Sequence, residues 1–589
     1  MGTVLQFYLE EEWGMERMRI EAETRQARRK ALWQGAALLG GAALLSKLIG
    51  TFQKIPLQNM AGDEVFGLYS AVYSLAVMWM TLASAGIPVA VSVLVAERTA
   101  YGDEQGAQRV LRWALGLLSL SGLAAFGILW LGADSFARWM GLESAAEAIR
   151  TSSLVLLFAP ATAVLRGYRQ GQMQMLRPAV SQLIEQIARV TFMLIILVWA
   201  VQSAWSTSGT AAAVHGGLAT GAVAGLIAML AFAGGKSKPI VIRSTGARKS
   251  FGGDGSTDAS TRLIKLPETR RSLVKRIVAV AIPIAIASIV APLFGLIDAF
   301  SIPRFLQHFD KEQASWALAQ FGVYNRGVAL LQLVIMGAAG AASALVPALT
   351  EARARGGEEE FASRAQFAMR FAWWIGGAAT VGLALLASPI NHALFADGNG
   401  TDAMTIIALA AAGGTLQAVS AALLQGMGDL RSPAVNLAAA ALLKLTLNAV
   451  LVPAYGIKGA AAAMAIAFAT AAVLNALSLR QRIKLPAPRL AVAWRSVAAL
   501  AAMAAAVALL ALGLGALTAA LPARVAALLV ALPGVLVGAA VFAAALVALG
   551  AVAPQQWRAL PGISGSRLDT LLMRIHALSN QFNKSRTRP

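Results

Sequence analysis

The amino-acid sequence predicts an all-α integral membrane protein. Fourteen transmembrane helices form two parallel-repeat six-helix lobes around a central cavity, and two further helices follow. Three observations carry this. Of 589 residues, 58% are hydrophobic and only 13% are charged, against about 25% charged in a soluble domain. Apolar runs of about twenty residues, the length that crosses a bilayer as a helix, recur along the chain. And the sequence repeats itself, residues 170–180 matching residues 425–435 without a gap.

Taken in order, residues 1–30 are polar and form a cytoplasmic N-terminal segment. No cleavable signal peptide is expected, because the first apolar run is long enough to remain as a helix. The first lobe, 31–234, holds spans near 31–53, 65–95, 110–132, 149–168, 179–202 and 210–234. Residues 235–274 are rich in Gly, Ser, Thr and basic side chains and read as a flexible cytoplasmic loop. The second lobe, 275–480, holds spans near 275–302, 318–348, 366–391, 403–425, 433–454 and 458–479. A final pair follows at 491–518 and 524–551, within 491–551, and 552–589 is a basic cytoplasmic tail with a short amphipathic helix expected around 567–580. The second and eighth spans are long and contain Pro88 and Pro347, which predict kinks or shorter true spans.

Orientation follows from Lys and Arg. With the N-terminus inside, roughly 39 of the 50 basic residues fall on the cytoplasmic side, about 7 outside and about 4 within spans. An odd number of helices would break that alternation. Both termini are therefore expected in the cytoplasm, in a bacterial plasma membrane. The net charge of +21 is then a property of the loops, and nucleic acid is not expected as a partner. The chain has no cysteine, which excludes disulfides and thiolate metal sites, and its four histidines form no ligand motif. No metal, cofactor or nucleotide site is expected, and no enzymatic activity. Any driving force would come from a sodium or proton gradient or from the membrane potential.

The repeat is Q-G-Q-M-Q-M-L-R-P-A-V against Q-G-M-G-D-L-R-S-P-A-V, at an offset of 255. Carried on, the offset places Arg189 on Lys444. Carried back, it places G-L-Y (67–69) on G-V-Y (322–324). The first helix aligns with adjustments, G-T-F-Q-K-I-P-L (50–57) against G-L-I-D-A-F-S-I-P-R (295–304). Six helices per half put both copies on the same footing in the membrane, so the halves are parallel repeats that rock against one another in alternating access. A duplicated bundle of this kind favours a transporter over a structural protein.

Ionisable residues at membrane depth cost about 2.5–3.5 kcal/mol each on insertion scales and persist where they face a cavity or a partner. They are Lys47, Glu185, Arg189, Asp298, Arg326 and Lys444, with Lys54 and Arg304 near the outer helix ends, where snorkelling competes with a ligand role. Basic residues predominate and come from both halves, which suits an anion. Arg offers a bidentate fork to phosphate and Lys a mobile point charge. Lys47, Arg189, Arg326 and Lys444, with Lys54 and Arg304 beside them, are the candidate pyrophosphate ligands. Glu185 and Asp298 would balance those cations or take part in ion coupling. Glu185 and Arg189 are four apart and could also simply neutralise one another. The repeat weighs against that alone, because Arg189 recurs as Lys444 while Glu185 aligns with Ala440.

Several strings resemble a known family: S-K-L-I-G-T-F-Q-K-I-P-L (46–57), A-G-I-P-V-A-V-S-V-L-V-A-E (85–97), L-R-G-Y-R-Q-G-Q-M-Q-M (165–175), S-Q-L-I-E-Q-I-A-R-V (181–190), P-L-F-G-L-I-D-A-F-S-I-P-R (292–304), Y-N-R-G (324–327) and S-A-L-V-P-A-L (343–349). They resemble the stage V sporulation protein B group of polysaccharide biosynthesis proteins. That group includes the MurJ-type lipid II flippases of the multidrug/oligosaccharidyl-lipid/polysaccharide exporter superfamily. The resemblance implies a cationic cavity that takes the pyrophosphate and sugar of an undecaprenyl-linked precursor, with 491–551 as a groove for the lipid tail. The family's S-R-x-x-G-x-x-R-D is met by Ser46, Lys47 and Gly50 but departed from at Gln53 and Lys54, and Val93 stands where the family often has Lys.

The expectation is a monomeric flippase that moves a lipid-linked oligosaccharide, lipid II above all, between leaflets amid membrane lipids. The alternatives are a flippase for another lipid-linked polysaccharide, a cation-coupled multidrug exporter, or a non-transporting envelope or spore assembly factor.

Overall fold

The computed structural model describes residues 35, 38–84, 86–231, 269–307, 314–354, 358–483, 490–558, 566 and 569–577. The N-terminal segment, nearly all of the 235–274 loop and much of the C-terminal tail lie outside them. Among the described residues the secondary structure is helical, with no strand, as an apolar chain requires when its backbone must be satisfied internally.

Among the described residues twelve helical stretches are long and apolar enough to span a membrane. The difference from the expected fourteen lies in how two of them are counted. Residues Leu38–Ala100 and Arg431–Arg482 each run as one stretch, but each contains a glycine with non-helical torsions: Gly62 at φ 81, ψ 175, and Gly456 at φ 57, ψ −139. Both are hairpins. On a straight helix Gln53 and Tyr69 would stand about 24 Å apart, yet Gln53 Nε2 is 3.1 Å from the Tyr69 hydroxyl. Asn436 likewise donates to Asn475 at 2.9 Å and to Ser478 at 3.0 Å. The second span breaks at Gly86 (φ 70), with Pro88 opening the helix Ile87–Ala100, so the proline marks the kink as expected.

The repeat is visible in the backbone at the same offset. The helix Glu104–Met140 ends on Gly141 at φ 71, and Ala387–Phe395 ends on Ala396 at φ 67. Met173 (φ 62) and Gly428 (φ 84) hold the next pair of turns, before helices that begin at Leu176 and Arg431.

The lobes meet where Gly67 crosses its repeat mate Gly322. A Cβ on Gly67 would lie 2.0 Å from the Leu318 carbonyl oxygen, and a Cβ on Gly322 would lie 2.1 Å from that of Asp63. The contact is reciprocal, as in an isologous interface, and it places a pseudo-two-fold axis between the two helices. Polar bonds between lobes cluster at this end: Asn59 Nδ2 to the Leu394 carbonyl at 2.7 Å, and Gln307 Nε2 to that of Gly141 at 2.7 Å. At the opposite end the start of helix Arg270–Leu306 packs on the first lobe through Leu273, Ile277 and Ala281, with Arg276 bonded to Glu97 at 2.6 Å.

The final pair, Leu490–Leu517 and Ala523–Ala548, docks on the second lobe around Trp374, Leu386 and Ile390. Trp374 Nε1 donates to Ser496 Oγ at 3.0 Å. Leu509, Leu512 and Leu517 are left exposed, an apolar surface suited to lipid.

Candidate functional site

The first lobe gathers a cluster of cations on aromatic rings. Gly217, Gly221 and Gly225, one helical turn apart on Thr207–Ala231, let that helix lie against Leu176–Gln202; Cβ atoms at the first two would sit 2.8 Å and 2.7 Å from the carbonyl oxygens of Arg189 and Glu185. This close packing sets Arg189 beside the hairpin limbs 38–61 and 63–84. Its guanidinium donates to the Tyr69 hydroxyl at 3.2 Å and stands 5.0 Å from the Tyr73 ring centre. Lys54 is buried, with Nζ 6.0 Å from the same ring. Tyr69 and Tyr73 stack at 5.7 Å, and the buried His215 ring lies 4.7 Å from Tyr69. Lys47, two helical turns before Lys54, shares its face and is exposed.

Among the described residues no carboxylate pairs with Lys47, Lys54 or Arg189. Cation–π contacts stabilise such groups by about 0.5–2 kcal/mol each, less than the insertion cost of a charge at membrane depth. Gln53 Oε1, Gln58 Oε1 and Ser70 Oγ are also buried without a hydrogen-bond partner. The cluster is thus electropositive and incompletely satisfied, the character of an anion site.

Glu185 is not the partner of Arg189. It accepts from Arg166 Nη2 at 2.6 Å, and Arg166 also donates to Ser181, whose hydroxyl donates to the Gly225 carbonyl at 2.8 Å. An arginine from the neighbouring helix Ala159–Gly171 wins the carboxylate. The i, i+4 pair that the spacing allowed is therefore unmade, and Arg189 is left to the tyrosines.

The second lobe holds the matching cluster with a different charge balance. Lys444 is fully buried and bonds to Asp298. Asp298 also accepts from Tyr324 at 3.0 Å and from Asn448 at 3.2 Å, and Asn448 reaches Ser301 at 2.8 Å. Asp298 thus stands as the charge-balancing partner of Lys444. As a phosphate ligand, Lys444 would first have to leave that carboxylate.

Arg326 sits apart, at the end where the lobes meet. Nε and Nη2 bond to Asp63 of the first lobe, at 2.9 Å from Nε, while Nη1 bonds to Asp397 at 2.6 Å and Asn391 at 3.3 Å. Its guanidinium, 5.2 Å from the Phe395 ring centre, is occupied by two carboxylates and clasps the lobes. Burial works to raise the carboxyl of Asp397, but the bonds from Arg326 and from the Asn399 N–H outweigh it and hold the group below the usual carboxylate range. Arg304 is exposed nearby, its Cβ 3.6 Å from a Cβ built on Gly141. The cations stand out in the sequence, whereas nothing there assigns Gln53, Tyr69, Tyr73, Asp63 or Asp397 a place in the site. The repeated Gly-x-Tyr, 67–69 and 322–324, pointed to Tyr69, and the departure from the family pattern pointed to Gln53.

Two repeat-related helical lobes in the membrane, with an electropositive cluster in one and a clasp between them, define a multi-pass transporter. The chain belongs to the polysaccharide biosynthesis protein family, whose sequence profile matches residues 32–353. It is 31% identical over 455 residues to the uncharacterized membrane protein YabM of Bacillus subtilis (strain 168), covering 77% of this chain and 81% of that one. It is 23% identical over 454 residues to the lipid II flippase MurJ of the same organism, covering 74% and 80%. Among solved structures, an inward-facing multidrug resistance MATE family transporter of the MOP superfamily superposes with a TM-score of 0.59 at 18% identity, covering 74% of this chain and 94% of that one. That likeness fixes the fold as MOP-type.

Proposed function

We propose that the protein is a flippase for an undecaprenyl-pyrophosphate-linked cell-wall precursor, lipid II in the first instance, working by alternating access in a bacterial plasma membrane. The observation that carries this is the first-lobe cluster of Lys47, Lys54 and Arg189 without a described carboxylate partner. Such a cluster attracts a multiply charged anion and disfavours a cationic drug. The distribution of basic residues puts both termini in the cytoplasm and the clasped Gly62 end outside. In that orientation the Asn59, Gln307 and Arg326 contacts join the lobes on the outer side, while Arg276 and Glu97 join the start of helix Arg270–Leu306 to the first lobe on the inner side. The pyrophosphate head would enter from the cytoplasm, bind at Arg189, Lys54 and Lys47, and leave outward once the Arg326 clasp parts, while the tail stays in lipid beside the final helix pair. The cycle moves charge but makes and breaks no covalent bond.

The test is complementation of a strain depleted of its lipid II flippase, read as precursor accumulation on the inner leaflet. Relief of accumulation is expected. Persistent accumulation with normal membrane expression would exclude lipid II and point to another lipid-linked glycan.

A further inference from the structure

The two lobes carry the same three-part cluster with one difference. In each, a tyrosine from the lobe's second helix, a residue of its first and a cation of its fifth are joined: Tyr69 accepts from both Gln53 and Arg189 in one, and Asp298 accepts from both Tyr324 and Lys444 in the other. Tyr69 and Tyr324 are repeat mates, as are Arg189 and Lys444, and setting Gly50 on Gly295 puts Gln53 opposite Asp298. The tyrosine hydroxyl settles what the third residue does. The Tyr324 hydroxyl donates a hydrogen bond to Asp298 at 3.0 Å, so the carboxylate is held and pairs with Lys444. Tyr69 instead accepts from Gln53 Nε2 at 3.1 Å and from Arg189 at 3.2 Å. An amide fills the place of the acid, and among the described residues Arg189 and Lys54 have no carboxylate partner.

We infer that Gln53 sets the sign of the transport site. Its uncharged amide keeps the first-lobe copy open to a phosphate-bearing ligand, whereas Asp298 at the matching place closes the second-lobe copy to one. Substrate polarity then rests on a single position of a duplicated site. The inference builds on the phosphate reading above, but local charge can be measured without any substrate.

The chain has no native cysteine, so a Thr51→Cys variant of the full-length protein in nanodiscs carries one thiol, on the Lys47–Lys54 face of the helix. Its reaction rates with an anionic and a cationic methanethiosulfonate, ethylsulfonate against ethyltrimethylammonium, give a ratio that reads the local potential. Adding Gln53→Glu should lower that ratio at least tenfold, since one unit charge a few ångströms away acts in opposite senses on the two reagents. Gln53→Met should hold it within about twofold, and Gln53→Lys should raise it. The Lys variant keeps the test decisive if the Glu variant does not fold. A ratio indifferent to the charge at position 53, or lowered as much by Met as by Glu, would overturn the inference. In the same nanodiscs undecaprenyl pyrophosphate should protect the thiol when Gln53 is present. Absence of protection alongside a charge-dependent ratio would sink the pyrophosphate reading and leave the role of Gln53 standing.

Discussion

At the scale of single residues, the site is decided by which cation has a carboxylate. Arg189 has none among the described residues, and Glu185 is held by Arg166. Arg189→Ala should therefore lower transport at least tenfold, as loss of a charge-assisted bond to phosphate does, with little change in melting temperature. Glu185→Ala should act mainly on stability, by leaving Arg166 unpaired. A Glu185→Ala variant that stops transport at unchanged stability would reverse those roles. Asp298 is the opposite case: removing it leaves a fully buried ammonium, so Asp298→Ala should cost about 3–5 kcal/mol in thermal unfolding, and Lys444→Met in the same chain should restore most of that. Glu185, Arg189, Asp298 and Lys444 were legible in the sequence, because ionisable residues stand out in apolar runs. Their partners were not. The i, i+4 rule sees one helix, and Arg166, Tyr69 and Asp298 reach their partners across helices.

At the scale of elements, the repeat carries over from letters to torsions. The left-handed turns at Gly141 and Ala396, and at Met173 and Gly428, recur at one offset, so the sequence match reported a real duplication of helix ends. What the letters did not disclose is that the repeated Gly67 and Gly322 touch each other, since that depends on how the lobes dock. Gly67→Ala places a Cβ against a backbone oxygen that cannot move aside as a side-chain tip would. It should separate the lobes at this end and raise the maleimide reactivity of a single cysteine at Asn59, while Gly116→Ala, in open space, should not. The neighbouring clasp adds a pH dependence. Asp397 titrates below its ordinary range when bonded to Arg326, so it favours the clasped state above about pH 4, and that contribution is lost as pH falls through its own lower value. Asp397→Asn should abolish that acid-range change in Asn59 reactivity; an unchanged acid response would assign it to another carboxylate.

At the scale of the whole molecule, transport by rocking requires the Gly62 end to open, and the geometry offers a way to forbid it. The Cβ of Arg304 lies 3.6 Å from a Cβ built on Gly141, within the span of a disulfide, and the two residues belong to different lobes. Gly141 has φ 71, where a side chain is strained, but its repeat mate Ala396 holds a Cβ at φ 67 in the same turn, so the fold accommodates one there. Because the chain has no cysteine, Gly141→Cys with Arg304→Cys creates a single possible bridge. Oxidation should arrest transport in reconstituted vesicles, and a reductant should restore it to the level of Arg304→Cys alone, which controls for loss of that cation. Binding of undecaprenyl pyrophosphate should survive oxidation, since in the proposed cycle the head group enters from the cytoplasmic side. The bridge also separates two ways of moving a lipid head group. A groove along the final helix pair could carry it past closed lobes and would be indifferent to the bridge. A central site exposed to each side in turn could not.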